Sequence, residues 1–356
     1  MSFRFPARVF ATLLLALAAA GACVLLRTPL PWMIGPLVAV SLASIAGLPT
    51  ASHTPLRNAG QWTIGAALGL YFTPQVVSLV AGIWWAILLG IVWALALGWG
   101  FGRWLQRLHA SRMPHVPARS MRATTYFAGA IGGASEMTLM AEHVGARTDL
   151  VAAAHSLRLV LVTVTVPFAM QWSGLHGLEI DPPGARELSL GGLALLAVVT
   201  GVGGIAMRAA GRTNPWFIGP LLVAMGLTIA GQQWSAIPTW LSNAAQLVVA
   251  VSLGVRFSRE FVQTAPRWLA TVALGTLVMV ALCGGFAWLL TWGTGLHPAT
   301  LILGTAPGGI AEMAITAKVL QLGVPVVTAF QVCRLVAVLL IVGPMYGWLY
   351  GRRRVG

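Results

Sequence analysis

The chain has 356 residues, 58% of them hydrophobic and only 8% charged, about a third of the share usual in soluble domains. Its mean hydropathy of +0.83 comes from apolar runs long enough to cross roughly 30 Å of hydrocarbon at about 1.5 Å per residue. A soluble protein is excluded, and no stretch is left over for a separate catalytic or DNA-binding domain. The net charge of +14, from 22 Lys and Arg against 8 Asp and Glu, therefore reads as the basic loops of a membrane protein and not as a nucleic-acid surface.

Arg4 and Arg8 precede an apolar stretch from Val9 to Ala20 and the small residues Gly21 and Ala22, the composition of a secretory signal. A duplication argues otherwise. Pro31-Trp32-Met33-Ile34-Gly35-Pro36-Leu37 returns as Pro215-Trp216-Phe217-Ile218-Gly219-Pro220-Leu221, and Asn58-Ala59-x-Gln61 as Asn243-Ala244-x-Gln246. Gly132-Gly133-x-x-Glu136-Met137 returns as Gly308-Gly309-x-x-Glu312-Met313, in the same order. An apolar run also precedes the second Pro-Trp motif, so the first run is expected to be a retained helix.

Each half reads as four apolar spans, a Gly-rich fifth segment and a long sixth span. In the first half they cover about 9–26, 30–47, 57–72, 76–101, 124–142 and 149–172; in the second, about 188–207, 214–231, 240–257, 267–293, 298–319 and 323–349. The fifth segments decide the topology. If they cross, Arg208, Arg212, Arg256, Arg259 and Arg267 fall outside; if they are re-entrant, only Arg27, Arg186 and Lys318 do. The positive-inside rule favours the second arrangement. The expectation is an all-α polytopic membrane protein of two inverted repeats, with about ten transmembrane helices and two Gly-rich re-entrant or broken segments. Residues 1–172 form the first repeat, 173–187 an external connecting loop with Glu179, Asp181 and Glu187, 188–351 the second repeat, and 352–356 a basic cytoplasmic tail. Each fifth segment has two short arms around Gly132-Gly133 or Gly308-Gly309, and each arm reaches about half the hydrocarbon thickness.

Two acids and two arginines stand where the spans should be apolar. Glu136 and Glu312 are repeat equivalents in the fifth segments, and Arg158 and Arg334 are equivalents in the sixth spans. A charge at a helix centre costs about 2.5–3.5 kcal/mol on insertion scales, so each needs a partner or a wet cavity. One reading pairs each Glu with its Arg to pin hairpin to helix; the other makes the four, with Gly132, Gly133, Gly308 and Gly309, a substrate or proton site.

His155 lies one turn before Arg158, with Gln331 as its equivalent, which leaves a proton relay open. Asn58, Gln61, Asn243 and Gln246 place amides on one face of each third span, where interhelix hydrogen bonding is expected and cavity lining is the alternative. The Pro-Trp motifs read as helix starts with interfacial tryptophans and a kink at the internal Gly-Pro. Cys23, Cys283 and Cys333 sit apart in apolar runs. No metal-binding, P-loop or serine-hydrolase motif occurs, so no metal, cofactor or catalytic residue is assigned.

The Pro31 to Leu37 stretch and Ala306-Pro307-Gly308-Gly309-Ile310-Ala311-Glu312-Met313 resemble the bacterial AbrB-type membrane proteins, built from a duplicated unit of about 150 residues. Members of that family are labelled ammonia monooxygenase or AbrB-family transcriptional regulator. In the first copy Ala130-Ile131 replaces Ala306-Pro307, so the two hairpin tips are expected to differ in shape. Three function classes follow. A secondary transporter or exporter of a small solute, coupled to protons in preference to sodium, fits the repeats and the buried charges. A regulator or sensor without transport fits one family label. A monooxygenase needs a redox metal held by clustered His, Cys or carboxylates, and the sequence has no such cluster, so no enzyme is expected. The partners expected are the lipid bilayer and a small solute of unknown identity, without nucleic acid; a homo-oligomer is left open. The location expected is the bacterial inner membrane with both termini cytoplasmic.

Overall fold

The computed structural model describes residues 4–111, 113, 116–173, 188–212, 214–232, 234–257, 259 and 265–350. The connecting loop from 174 to 187, the tail with Arg352, Arg353 and Arg354, and Glu260 lie outside the described residues. The described residues form fifteen α-helices and no strand. In chain order these are α1 (Arg4–Leu25), α2 (Pro31–Ile45), α3 (Thr54–Gly69), α4 (Pro74–Gly82), α5 (Trp84–His109), α6 (Ala118–Gly129), α7 (Ala134–His143) and α8 (Thr148–Trp172) in the first copy. The second contains α9 (Leu190–Ala209), α10 (Pro215–Ile229), α11 (Thr239–Gly254), α12 (Pro266–Thr294), α13 (Pro298–Thr305), α14 (Ile310–Val319) and α15 (Val324–Tyr350).

Six helices, α1, α5, α8, α9, α12 and α15, are long and apolar enough to cross a membrane, as a multi-pass membrane protein requires. The remaining elements are shorter. Helices α2 and α10 have 15 residues each, about 22 Å of rise, and are apolar but for Ser41, Ser44 and Thr228. Helices α3 and α4 meet at 85° where the third span and the beginning of the fourth were expected. The residues at that corner explain it: the helix ends at Gly69, with Leu70 capping it, and Pro74, which cannot continue a preceding helix, starts the next one. The expected fourth span therefore divides, and α5 carries it on to His109. Both Gly-rich fifth segments are broken helices, α6 with α7 and α13 with α14.

The chain forms two compact units. The first comprises residues 1–82, 164–263 and 311–326. In it α1 packs on α2, α2 on α11, α11 on α3, α3 on α10 and α10 on α9. Exchanging the two copies maps this chain of contacts onto itself. Glycines set its closeness. A Cβ on Gly69 would lie 2.5 Å from Leu221 O, and one on Gly254 would lie 3.1 Å from Leu37 O, the same contact made with the copies swapped. The Gly-Pro of each Pro-Trp motif serves this packing too, since a Cβ on Gly35 would come within 2.6 Å of Ala19 O and one on Gly219 would strike Gly203. Pro31 and Pro215 open their helices as expected, each after a residue in the left-handed region, Leu30 (φ 46°) and Asn214 (φ 48°). Trp216 is half-buried against Gly204, 6.1 Å from the Trp62 ring, so it packs against protein and not only at an interface. The Trp62 indole N–H donates to Thr200 Oγ1 at 2.8 Å.

The second unit comprises residues 83–163, 264–310 and 327–356. Here α5 packs on α6, α12 on α13, and α5 on α12, again a pattern that survives exchange of the copies. Trp93 of α5 stacks on Phe286 of α12 with ring centroids 4.8 Å apart, and the Trp268 indole donates to Leu150 O at 3.2 Å. At the crossing of α5 and α6, backbones touch: a Cβ on Gly129 would lie 2.5 Å from both Gly98 O and Gly102 N.

Candidate functional site

A helix broken inside a membrane protein leaves its last carbonyls and its next amides without intrahelical partners, and hydrocarbon cannot supply them. In the second unit α6 ends at Gly129 and the chain turns extended at Ala130 (φ −53°, ψ 141°). Helix α13 ends at Thr305 and Ala306 takes the same shape (φ −54°, ψ 141°). The two tips therefore leave their first arms identically, although Pro307 follows in only one copy. Proline forces the residue before it into this region. At Ala130 side-chain hydrogen bonds hold the same geometry without it.

Those bonds come from the long sixth helices. Arg158, 3% exposed, donates from Nη1 to Ala130 O at 2.7 Å and from Nη2 to Ala128 O and Gly129 O. One turn earlier His155 Nε2–H donates to Phe127 O at 2.9 Å, which requires the proton on that nitrogen. In the second copy Arg334, 6% exposed, donates from Nη1 to Ala306 O at 2.6 Å and from Nη2 to Gly308 O at 2.8 Å. Gln331 Nε2 donates to Leu303 O at 2.7 Å and also faces Gly304 O and Ala306 O, while its Oε1 accepts from Arg334 Nη2 at 2.6 Å. The first copy and the second thus use one device: a donor pair three residues apart closes the carbonyl end of the first half-helix. A guanidinium there also meets the negative end of the helix dipole. Phe101 adds a ring 5.5 Å from the Arg158 Cζ.

The acids stand at the opposite ends of the breaks. Glu136 and Glu312 each lie in the first turn of the second half-helix, where the dipole is positive. Glu136 is half-buried and curls back onto Gly133, so close that a Cβ on Gly133 would overlap its carboxylate. Glu312 is 6% exposed. Arg158 does not pair with Glu136; its partners are carbonyls, which corrects the Glu–Arg pairing considered for that half. The ion pair found among the described residues is Arg147 with Asp149 at 2.6 Å, and that side-chain hydrogen bond holds the Arg147 guanidinium above its ordinary range.

Gly132 and Gly308 lie within the breaks, and Gly133 and Gly309 immediately precede the second arms. The third-span amides do less than expected. Asn58 Oδ1 accepts from Arg57 Nη2 at 3.4 Å, whereas Gln61, Asn243 and Gln246 make no side-chain hydrogen bond among the described residues. A narrow cleft reaches the first break past Gly98, Ala130, Ile131, Val342 and Met345; its polar member, Tyr126, has its hydroxyl donating to Val342 O. Among the described residues no group of three or more His, Cys, Asp or Glu is placed to hold a metal ion.

Sequence reasoning overlooked Arg57 and Arg256. Both lie in the first unit, Arg57 near the start of α3 and Arg256 two residues past the end of α11, and those two helices pack on one another. Their signal was the position of Arg57 beside the repeated Asn58 motif.

The role of His155 is open to a direct check. Since Gln331 performs the same task in the second copy, His155→Gln should leave thermal stability within about 1 kcal/mol of wild type, the scale of one neutral hydrogen bond, whereas His155→Ala should lower it by about 1–3 kcal/mol. Thermal unfolding in detergent measures both. A glutamine as damaging as alanine would contradict the capping role.

Residues 32–350 match the family described as "Transition state regulatory protein AbrB". The chain is 27% identical over 319 residues to "Putative regulator AbrB" of Escherichia coli (strain K12), a match covering 88% of each chain. It is also 27% identical over 364 residues to "Uncharacterized protein YhjN" of Bacillus subtilis (strain 168), covering 94% of this chain and 92% of that one.

Proposed function

The chain belongs to the AbrB family, and we propose that it is a secondary transporter of a small solute, coupled to protons, in the bacterial inner membrane. Its two halves are read as inverted repeats with ten crossings, both termini and the Arg103 to Arg122 loop being cytoplasmic. The observation that carries this reading is the duplicated break: each copy interrupts a helix and buries an arginine to satisfy the exposed carbonyls. Each then sets a glutamate at the start of the next half-helix. Anchoring alone needs none of this, and unbroken helices would be more stable. Discontinuous helices in duplicated halves are the architecture with which membrane transporters bind solutes near the midplane. Glu312, buried and bound to no guanidinium within 4.0 Å among the described residues, is the group assigned to carry the proton.

Full-length protein in liposomes with an internal pH dye tests this. Wild type should move protons together with at least one solute of a broad screen, Glu312→Gln should slow that flux at least tenfold, and Arg147→Gln should not change it. Wild type that moves nothing, or Glu312→Gln matching wild type, would sink the reading.

The family description and the name of the E. coli relative favour a second reading, a membrane regulator that acts without transport. It requires that effects on gene expression persist in cells carrying Glu136→Gln with Glu312→Gln. We propose no oxidation step.

A further inference from the structure

The cleft beside the first break has a charged rim at one end. Helices α5 and α6 run antiparallel at close range: a Cβ on Gly102 would lie 2.8 Å from Thr125 O, and one on Gly98 would lie 3.1 Å from the Ala130 Cα. Leu95, Gly98 and Trp99 of α5 line the cleft with Tyr126 of α6, Ile131 of the tip and Met345 of α15. Its side chains are apolar apart from the Trp99 indole N–H and the Tyr126 hydroxyl, and that hydroxyl is already spent on Val342 O. One turn beyond Trp99, Arg103 holds its Cζ 5.2 Å from the centre of the Trp99 ring. One turn before Tyr126, Arg122 holds its Cζ 5.5 Å from the Tyr350 ring, which itself lies 5.9 Å from the Tyr126 ring. Because the two helices are antiparallel, both turns lead to the same end of the cleft, and the register puts the two arginines within about one helical turn of each other in height. Arg103 is exposed and Arg122 half-buried, and neither guanidinium makes a hydrogen bond or an ion pair among the described residues.

A tryptophan under an arginine at a helix end is ordinary anchoring when it stands alone. Here three helices converge on one apolar cleft and two of them bring a cation to the same end of it. Capping the break does not require this. At the register that relates the two Gly-Gly motifs, Arg122 and Tyr126 correspond to Pro298 and Ile302, yet Gln331 and Arg334 cap the second copy all the same. An acyl chain matches the walls, and a phosphate matches guanidinium forks that have no carboxylate partner. We propose that the cleft is a site for an anionic phospholipid, with one acyl chain lying along α5 between α6 and α15 and the phosphate facing Arg103 and Arg122. The chain ends against Ala130 and Ile131, at the tip that Arg158 caps, so the lipid stabilises the first break and not the second. This inference goes beyond the transporter reading and stands without it.

The test uses full-length, delipidated protein in a neutral detergent, with dioleoyl phosphatidylglycerol or dioleoyl phosphatidylcholine added at equal mole fraction. Phosphatidylglycerol should raise the unfolding temperature by at least about 2 °C more than phosphatidylcholine does. Glycerol 3-phosphate, which carries the charge without the chains, should not shift it, and this separates a lipid from a free phosphate ester. Arg103→Gln with Arg122→Gln should raise the amount of phosphatidylglycerol needed for half the shift by about tenfold or more, and Arg103→Gln alone, at an exposed position, by about fivefold. Leu95→Trp, which fills the cleft, should also weaken the response by about fivefold. Arg208→Gln with Arg212→Gln removes the same charge at and just past the end of α9, from two exposed positions, and should leave the response as in wild type. The inference is overturned if the two lipids act alike, if glycerol 3-phosphate reproduces the shift, or if the α9 pair weakens the response as much as Arg103→Gln with Arg122→Gln. Should that double variant already be unfolded without lipid, Arg103→Gln and Leu95→Trp decide: a wild-type response in both means that the cleft is not the site.

Discussion

Arg158→Ala should lower the stability of the detergent-solubilised protein by about 3–5 kcal/mol, because it orphans buried carbonyls that nothing else can reach. The Arg158 guanidinium serves Ala128, Gly129 and Ala130, and His155 covers only Phe127. Each abandoned carbonyl costs about 1–3 kcal/mol in a low-dielectric interior, partly offset by no longer burying a cation. Arg334→Ala should cost less, about 1–3 kcal/mol, since Gln331 keeps contact with Leu303, Gly304 and Ala306, and the acceptors that lose their donor are Gly308 O and the Gln331 Oε1. Arg158→Lys should fall between wild type and alanine, a single ammonium lacking the fork that bridges successive carbonyls. The surface control Arg147→Gln breaks an ion pair whose partners are 41% and 48% exposed and should shift stability by no more than about 1 kcal/mol. Denaturant or thermal unfolding ranks the four. If Arg158→Ala were as stable as Arg147→Gln, the arginine would not be the cap of the break.

Gly129→Val is expected to be comparably harmful for a different reason. The glycine sits at the last turn of α6, with Gly98 and Gly102 of α5 directly opposite. An added Cβ would lie 2.5 Å from Gly98 O and Gly102 N and 2.8 Å from the Gly102 Cα. These are backbone atoms, so no side chain can rotate away, and the helices must separate. Overpacking of this kind costs about 1–3 kcal/mol where a core can adjust, and more where it cannot. The consequence reaches the site, because Gly129 O is among the carbonyls that Arg158 binds. Gly100→Val, two residues from both Gly98 and Gly102 and open on its Cβ side, is the matched control and should be nearly silent. Equal stability of Gly129→Val and Gly100→Val would refute close backbone contact between α5 and α6.

Much of this was legible in the sequence. The duplicated Gly132-Gly133 and Gly308-Gly309 pairs marked where both helices break, since two adjacent glycines cost helix stability that no side chain recovers. The lengths of the apolar runs located five of the six long helices to within five residues, whereas α5 runs from Trp84 to His109 where a span over 76–101 was expected. Equivalence of Arg158 with Arg334 and of His155 with Gln331 was visible as spacing alone.

The partners of those residues were not. A sequence records which groups are charged, and opposite charges at matching positions invite pairing; a break in the backbone creates acceptors that no residue letter displays. Only the tertiary structure brings the sixth helix past the carbonyl end of the first arm, so that Arg158 binds Ala128 and Ala130 instead of Glu136. The same holds for the 85° corner between α3 and α4, and for the packing of α3, which carries Arg57, on α11, which ends two residues before Arg256. Hydrophobic period and glycine placement act within a segment and can be read from it. Hydrogen-bond partners and charge clusters depend on which segments meet, and that is decided by the fold.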